Sequence, residues 1–145
     1  MIVGRRLKKA ELYTTHAEKE TFLLAKKLAK DFKGNEVVLL EGELGSGKTI
    51  FAKGIASGLG LRDIHQVCSP SFTLVNIYQA KFTVYHIDLF RLEKDAEILD
   101  LGWEDYLGQG VVVVEWAEKI KFKIDGIWVS LKIGEKDRRE IRIQR

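Results

Sequence analysis

An α/β fold built as a single domain is the class this sequence predicts, on three observations. A short apolar run, Val37-Val38-Leu39-Leu40, leads through a glycine-rich stretch into residues 50–56, whose apolar positions recur at helical spacing. A second run, Val111-Val112-Val113-Val114, is all β-branched, which suits a central parallel strand buried on both faces. The 145 residues, 46% hydrophobic and 31% charged, suffice for one domain with a real core and little more.

Taken in order, residues 7–14 alternate loosely and predict a first strand. Thr15-His16-Ala17-Glu18 matches the S/T-x-x-E capping box with Thr15 as N-cap. Behind it Phe22, Ala25, Leu28, Ala29 and Phe32 keep helical spacing, so the pattern predicts an amphipathic helix over 16–33, stopped by Gly34-Asn35. His16 belongs to that helix start. The strand 37–40 follows, then a helix ending near Ser57-Gly58-Leu59-Gly60. Residues 67–75 carry the one proline, Pro70, with hydroxyl residues on both sides. Two readings stand side by side: a switch loop whose hydroxyls reach a γ-phosphate or Mg²⁺, or an ordinary turn into a strand over 72–78.

That strand and the next, 82–88, have a short connection and predict an antiparallel hairpin. Residues 93–101 read as a helix broken at Gly102, followed by a short turn that packs Trp103 inward. Residues 128–133 and 140–143 alternate and predict a closing hairpin around Gly134-Glu135-Lys136-Asp137.

The chemistry gathers at Gly42-Glu43-Leu44-Gly45-Ser46-Gly47-Lys48-Thr49, which fits G-x-x-x-x-G-K-[ST] in the required strand–loop–helix setting. Gly42, Gly45 and Gly47 free the backbone to turn successive N–H groups around a polyphosphate. The helix that starts near Lys48 adds unpaired N–H groups and the positive end of its dipole. Lys48 offers a mobile cation to β- and γ-phosphates, and the Thr49 hydroxyl one position on Mg²⁺. The pattern therefore predicts binding of a nucleoside di- or triphosphate.

A phosphate-loop enzyme also needs an acid at the end of a neighbouring strand. Asp88 and Glu115 are the candidates. Glu115 follows the four valines and is the better metal residue, which leaves Asp88 to orient or deprotonate an attacking water, although the residues alone do not fix which acid does which job. His86 and Arg91 flank Asp88 and are second-rank candidates; the alternatives are a buried histidine and a local ion pair.

Several classes are excluded. No N-K-x-D motif reads guanine, and Asp105-Tyr106-Leu107-Gly108 precedes a strand where a GTPase switch motif should follow one. A AAA-type motor would need a further helical domain. No apolar run nears the ~20 residues that span a membrane, and the basic N-terminus lacks the apolar core of a signal peptide. The single Cys68 rules out an intramolecular disulfide and favours a cytoplasmic setting. The net charge of +3 does not by itself argue for nucleic acid. Basic clusters at residues 5–9 and at Arg138, Arg139, Arg142 and Arg145 are read as solvated faces rather than contacts to RNA or an acidic partner.

Four blocks in order, Gly42 to Thr49, Ser-Pro-Ser-Phe-Thr-Leu-Val-Asn from Ser69, Tyr-His-Ile-Asp-Leu-Phe-Arg-Leu from Tyr85 and Val-Glu-Trp-Ala-Glu from Val114, resemble the signature of the TsaE family. The resemblance runs over residues 15–142. It implies a central, mixed and mostly parallel sheet flanked by helices, with an antiparallel portion. It implies an ATP/ADP-binding loop at Leu44, Gly45, Ser46, Gly47, Lys48 and Thr49, Mg²⁺ on Thr49 and Glu115, and a catalytic acid at Asp88. Trp116 corresponds to the family's tryptophan beside the metal glutamate. The implied activity is a weak ATPase that works with the TsaB and TsaD proteins, resetting their transfer of a threonylcarbamoyl group to tRNA, which the ATPase itself meets indirectly or weakly. The sequence departs from the family at Glu43, Ser71, Phe90 and Ala117, where Asp, Thr, Tyr and Pro are usual. A small-molecule kinase and a nucleotide-gated docking module are the competing readings.

Overall fold

The computed structural model describes residues 10–70 and 73–145. Within them lie strands β1 (Glu11–Thr15), β2 (Val37–Glu41), β3 (Val75–Gln79), β4 (Thr83–Asp88), β5 (Val111–Glu115), β6 (Ile127–Ile133) and β7 (Arg139–Gln144). The helices are α1 (Glu18–Ala29), α2 (Lys48–Gly58) and the short α3 (Asp95–Asp100). One mixed sheet of seven strands takes the order β1-β7-β6-β2-β5-β4-β3.

Its centre is parallel: β6 with β2, β2 with β5, β5 with β4. Its margins are antiparallel: β1 with β7, β7 with β6, and β3 with β4. Parallel ladders thus hold the middle without forming the majority that the family resemblance implied. The connections over residues 80–82 and 134–138 are too short for a crossover, so β3 and β7 must turn back beside their sequence neighbours.

The period of two along each strand divides the apolar residues between two cores. Val38, Leu40, Val111, Val113, Val129 and Leu131 pack with Ala25, Phe51 and Ile55 of α1 and α2. Leu39, Val112 and Val114 pack on the other face with Ile87, Leu89, Ile98 and Trp103. All five residues of β5 are buried, which is why its run is continuous rather than alternating.

Helices α1 and α2 approach closely through small residues. A Cβ at Gly54 would stand 2.3 Å from the Phe22 carbonyl oxygen and 2.6 Å from the Ala25 Cβ; one at Gly58 would stand 2.4 Å from the Lys26 carbonyl oxygen. Two glycines in one helix are locally unfavourable. Here the backbone-to-backbone approach requires them.

Several boundaries differ from the sequence pattern. Thr15 is not a helix cap: it is the last paired residue of β1, opposite Arg139, and its hydroxyl lies 2.7 Å from that of Thr21. Ala17 occupies the N-cap without a side-chain bond, and Glu20, not Glu18, reaches back to accept from the His16 N–H at 3.0 Å. The helix stops at Ala29, short of residue 33, with Phe32 buried just beyond its end. Strand β3 begins only at Val75, because Leu74 has φ +68° and donates its N–H to the Pro70 carbonyl in a turn. Phe72, the expected first residue of that strand, and residues 7–9 of the expected first strand lie outside the described residues. Helix α3 starts two residues late, where the Glu97 carboxylate accepts from the N–H groups of Glu93 and Lys94. Among the described residues no helix is long and apolar enough to cross a membrane.

The α1–α2 approach generates a test. Gly54→Ala, which would stabilise an exposed helix, should instead lower stability by about 1–3 kcal/mol through overpacking, measured as a shift in the urea midpoint.

Candidate functional site

Parallel pairing brings the C-terminal ends of β2, β5 and β4 to one edge of the sheet, where an open α/β sheet forms its crevice. The register sets Leu40 opposite Glu115 and Asp88 opposite Glu115. The glycine loop that leaves β2 therefore arrives beside both predicted acids. Asp88 and Glu115 are almost wholly buried, at 1% and 2% exposure, and they are adjacent.

Thr49, at the start of α2, donates its hydroxyl to Glu115, 2.9 Å from Oε1 and 3.2 Å from Oε2. Asp88 Oδ1 accepts from the Phe90 N–H at 2.8 Å, and Oδ2 accepts from the Ser69 hydroxyl. Around these groups opens a cleft of about 370 Å³, lined by Leu44, Gly45, Gly47, Lys48, Thr49, Asp88 and Glu115, all singled out in the sequence. Ser69, Phe90 and Trp116 complete the wall, and Glu18 and Ile50 reach it from α1 and α2. Ser46 is wholly buried and lines a smaller adjoining recess.

The loop holds a backbone only glycine adopts easily. Gly42 has φ +153°, and a Cβ there would lie 2.5 Å from the Leu131 carbonyl oxygen. Gly47, the N-cap of α2, has φ +106°. Lys48 turns back onto its own loop, donating to the carbonyls of Gly42 at 2.6 Å and Glu43 at 2.9 Å, with its ammonium 3.9 Å from the centre of the Trp116 ring. Burial pulls its pKa below the usual lysine value, opposed by the carboxylates of Glu118, Glu115, Asp88 and Glu43. Trp116 itself has φ +61°, a left-handed conformation that strains a residue with a bulky side chain. That conformation swings the ring over Lys48 and against Phe90, whose ring centre is 5.0 Å away.

Two further residues hold the loop: Glu118, which closes the Val-Glu-Trp-Ala-Glu block without a role assigned to it, and Arg139, which the sequence placed on a solvated face. Glu118 Oε2 accepts from the Gly42 N–H at 3.0 Å. Arg139, on β7, donates from Nε to the Ser46 carbonyl and from Nη2 to that of Gly45, both at 3.2 Å. Of the C-terminal basic cluster, Arg139 thus supports the loop, while Arg138 pairs with Glu140 and Arg145 with Glu11 at exposed positions. The cluster at residues 5–9, and Ser71 and Phe72 of the hydroxyl-rich block, lie outside the described residues. His86 is wholly buried, with Nε2 2.5 Å from Glu115 Oε2, and Arg91 is exposed; neither lines the cleft. His16 is exposed at the start of α1.

A hydroxyl and a carboxylate form a hard oxygen donor set that suits Mg²⁺, which commonly takes one or two protein oxygens together with phosphates and water. Among the described residues no cluster of three His, Cys, Asp or Glu forms a metal cage made by protein alone. The donors present fit a cation shared with a bound polyphosphate.

Comparison with known proteins points to one family. A family model described as "Threonylcarbamoyl adenosine biosynthesis protein TsaE" matches residues 15–142. A Rickettsia conorii protein named tRNA threonylcarbamoyladenosine biosynthesis protein TsaE is 42% identical over 76% of the chain; the match spans 63% of that relative, a little under two thirds. The Bacillus subtilis protein of the same name is 42% identical over 84% of the chain and 77% of its own length. The crystal structure of Bacillus subtilis YdiB superposes with a TM-score of 0.74 at 33% identity, covering 95% of this chain and 86% of that one.

Glu41, the last residue of β2, carries a pKa raised above its ordinary 4.5, first by burial and then by the nearby Glu118 carboxylate, with a Ser130 hydrogen bond opposing. A raised carboxylate contributes stability that is present below its unfolded pKa and lost as pH rises through its folded one. Glu41→Gln should therefore be more stable than the parent at neutral pH. Denaturant titrations should show that advantage shrinking as pH falls through the carboxylate range.

Proposed function

This chain belongs to the TsaE family of tRNA threonylcarbamoyladenosine biosynthesis proteins, and from that premise we propose that it is a Mg²⁺-dependent phosphate-loop ATPase whose ATP turnover drives the TsaB–TsaD threonylcarbamoyl transfer complex. The observation that carries the reading is the meeting of Thr49, Glu115 and Asp88 at the mouth of one glycine loop. Binding alone would need the loop and Lys48. A second buried acid next to the first is the arrangement that hydrolysis needs.

In this reading the loop N–H groups and the start of α2 hold the polyphosphate. Lys48 exchanges its two carbonyl partners for β- and γ-phosphate oxygens. Its depressed pKa reflects burial, which a bound polyanion would offset by stabilising the ammonium. Thr49 and Glu115 would hold Mg²⁺, which supplies charge neutralisation on the phosphates. Asp88 orients the attacking water and takes its proton. Its Oδ2 accepts from the Ser69 hydroxyl, and a carboxylate oxygen keeps a further lone pair for a water. Phe90 and Trp116 line this side of the cleft. The reaction uses no residue of tRNA, which on this reading is met through the partner proteins.

The test is phosphate release from Mg-ATP by the purified protein, alone and with the purified TsaB–TsaD pair. A slow rate that rises with the pair supports the proposal, and Asp88→Asn should lower it by about 10²–10⁴-fold while ADP still binds. A rate indifferent to the pair, or undiminished in Asp88→Asn, would overturn it. Phosphate transferred to a metabolite would favour a kinase.

A further inference from the structure

Behind the cleft runs a polar chain, two of whose members, Tyr78 and His86, the mechanism above leaves unused. Tyr78 on β3, His86 on β4, Glu115 on β5 and Thr49 on α2 are linked in series. The Tyr78 hydroxyl lies 3.1 Å from His86 Nδ1, His86 Nε2 lies 2.5 Å from Glu115 Oε2, and Thr49 donates to Glu115 Oε1 at 2.9 Å. Tyr78 and His86 are 5% and 0% exposed. His86 lies opposite Val113, so Glu115 is its diagonal neighbour, two residues on along the same face of the sheet.

Apolar neighbours such as Val84 and Val113 surround the pair on that face, with Asn76 directly opposite His86 on β3. A polar ring buried there is costly unless both nitrogens are satisfied. Both have a partner. The Glu115 carboxylate only accepts, so Nε2 donates to it, while Nδ1 stands against the Tyr78 hydroxyl, which also lies 3.4 Å from the Cys68 carbonyl oxygen and accepts from the Asn76 amide at 3.4 Å. One ring thus joins Tyr78 to Glu115, and the two contacts together fix its orientation. Wholly buried, His86 cannot meet a nucleotide; whatever it does, it does through Glu115.

We propose that His86, locked by Tyr78, is the positioning residue that aims the Glu115 carboxylate, and that it thereby sets how strongly Mg²⁺ enhances nucleotide binding. The proposal rests on the reading of Thr49 and Glu115 as the cation's holders. Partners that orient a ligating group from behind typically govern metal affinity in this way. Ser69 and Phe90 orient Asp88 separately, so the two acids are held by different elements.

The experiment is calorimetric titration of the protein with ADP, once with Mg²⁺ and once with EDTA. His86→Phe keeps the ring's bulk and removes both nitrogens. His86→Gln puts an amide N–H where Nε2 stood. His86→Phe should cut the Mg²⁺-dependent gain in ADP affinity by about 10–100-fold and leave the EDTA affinity within about twofold, with His86→Gln recovering most of the gain. Tyr78→Phe should lose a smaller part, and it decides the matter if His86→Phe does not fold. An unchanged gain in these variants would overturn the proposal and leave the reading of the site standing. Affinity falling equally with and without Mg²⁺ would also overturn it, since His86 would then support only the fold. A parent protein that binds ADP with no Mg²⁺ gain would overturn the site reading together with the proposal.

Discussion

The parallel register of β2, β5 and β4 is the constraint on which the rest of the structure depends. It places the end of the strand that launches the glycine loop beside Glu115, and Glu115 beside Asp88. Slipping either ladder by one residue would turn an acid to the opposite face, because side chains alternate. The four valines of β5 prevent that slip. They serve both cores alternately, so displacement would disrupt two hydrophobic layers together. Core packing and site geometry are therefore specified by the same residues.

The loop is held from more than one direction. Glu118 accepts from the N–H of Gly42, Arg139 donates to the carbonyls of Gly45 and Ser46, and Lys48 closes onto the carbonyls of Gly42 and Glu43. Arg139 sits on β7, which pairs with β1 and β6, so the antiparallel margin also buttresses the site. The strained Trp116 and the close α1–α2 packing through Gly54 and Gly58 serve the same end, since each fixes a wall of the cleft or the helix that leaves the loop. Charged hydrogen bonds to backbone carbonyls in partly buried surroundings are among the stronger single contacts available to a small domain.

Much of the architecture was legible in short patterns. The hairpins at residues 75–88 and 127–144, the buried strand of valines, the break at Gly102 and the inward Trp103 all follow from local periodicity and turn chemistry. The boundaries were less legible. Thr15 has the letters of a helix cap and is instead held in a ladder by β7, a partner far along the chain. The parallel share of the sheet was overstated because short connections dictate antiparallel return for β3–β4 and β6–β7, and β1 adds a third antiparallel pair beside β7.

The sequence by itself determined the phosphate-loop motif, the two acids at strand ends and the α/β class, because each depends on residue types at fixed short spacing. Only the tertiary structure decided how these parts are held. Glu118 meets Gly42 across 76 residues, Arg139 meets Ser46 across 93, and His86 meets Glu115 across 29. No local pattern encodes such pairs. They exist because the sheet order brings β7 and β5 to either side of the loop, and a side chain's partner is set by which strands adjoin.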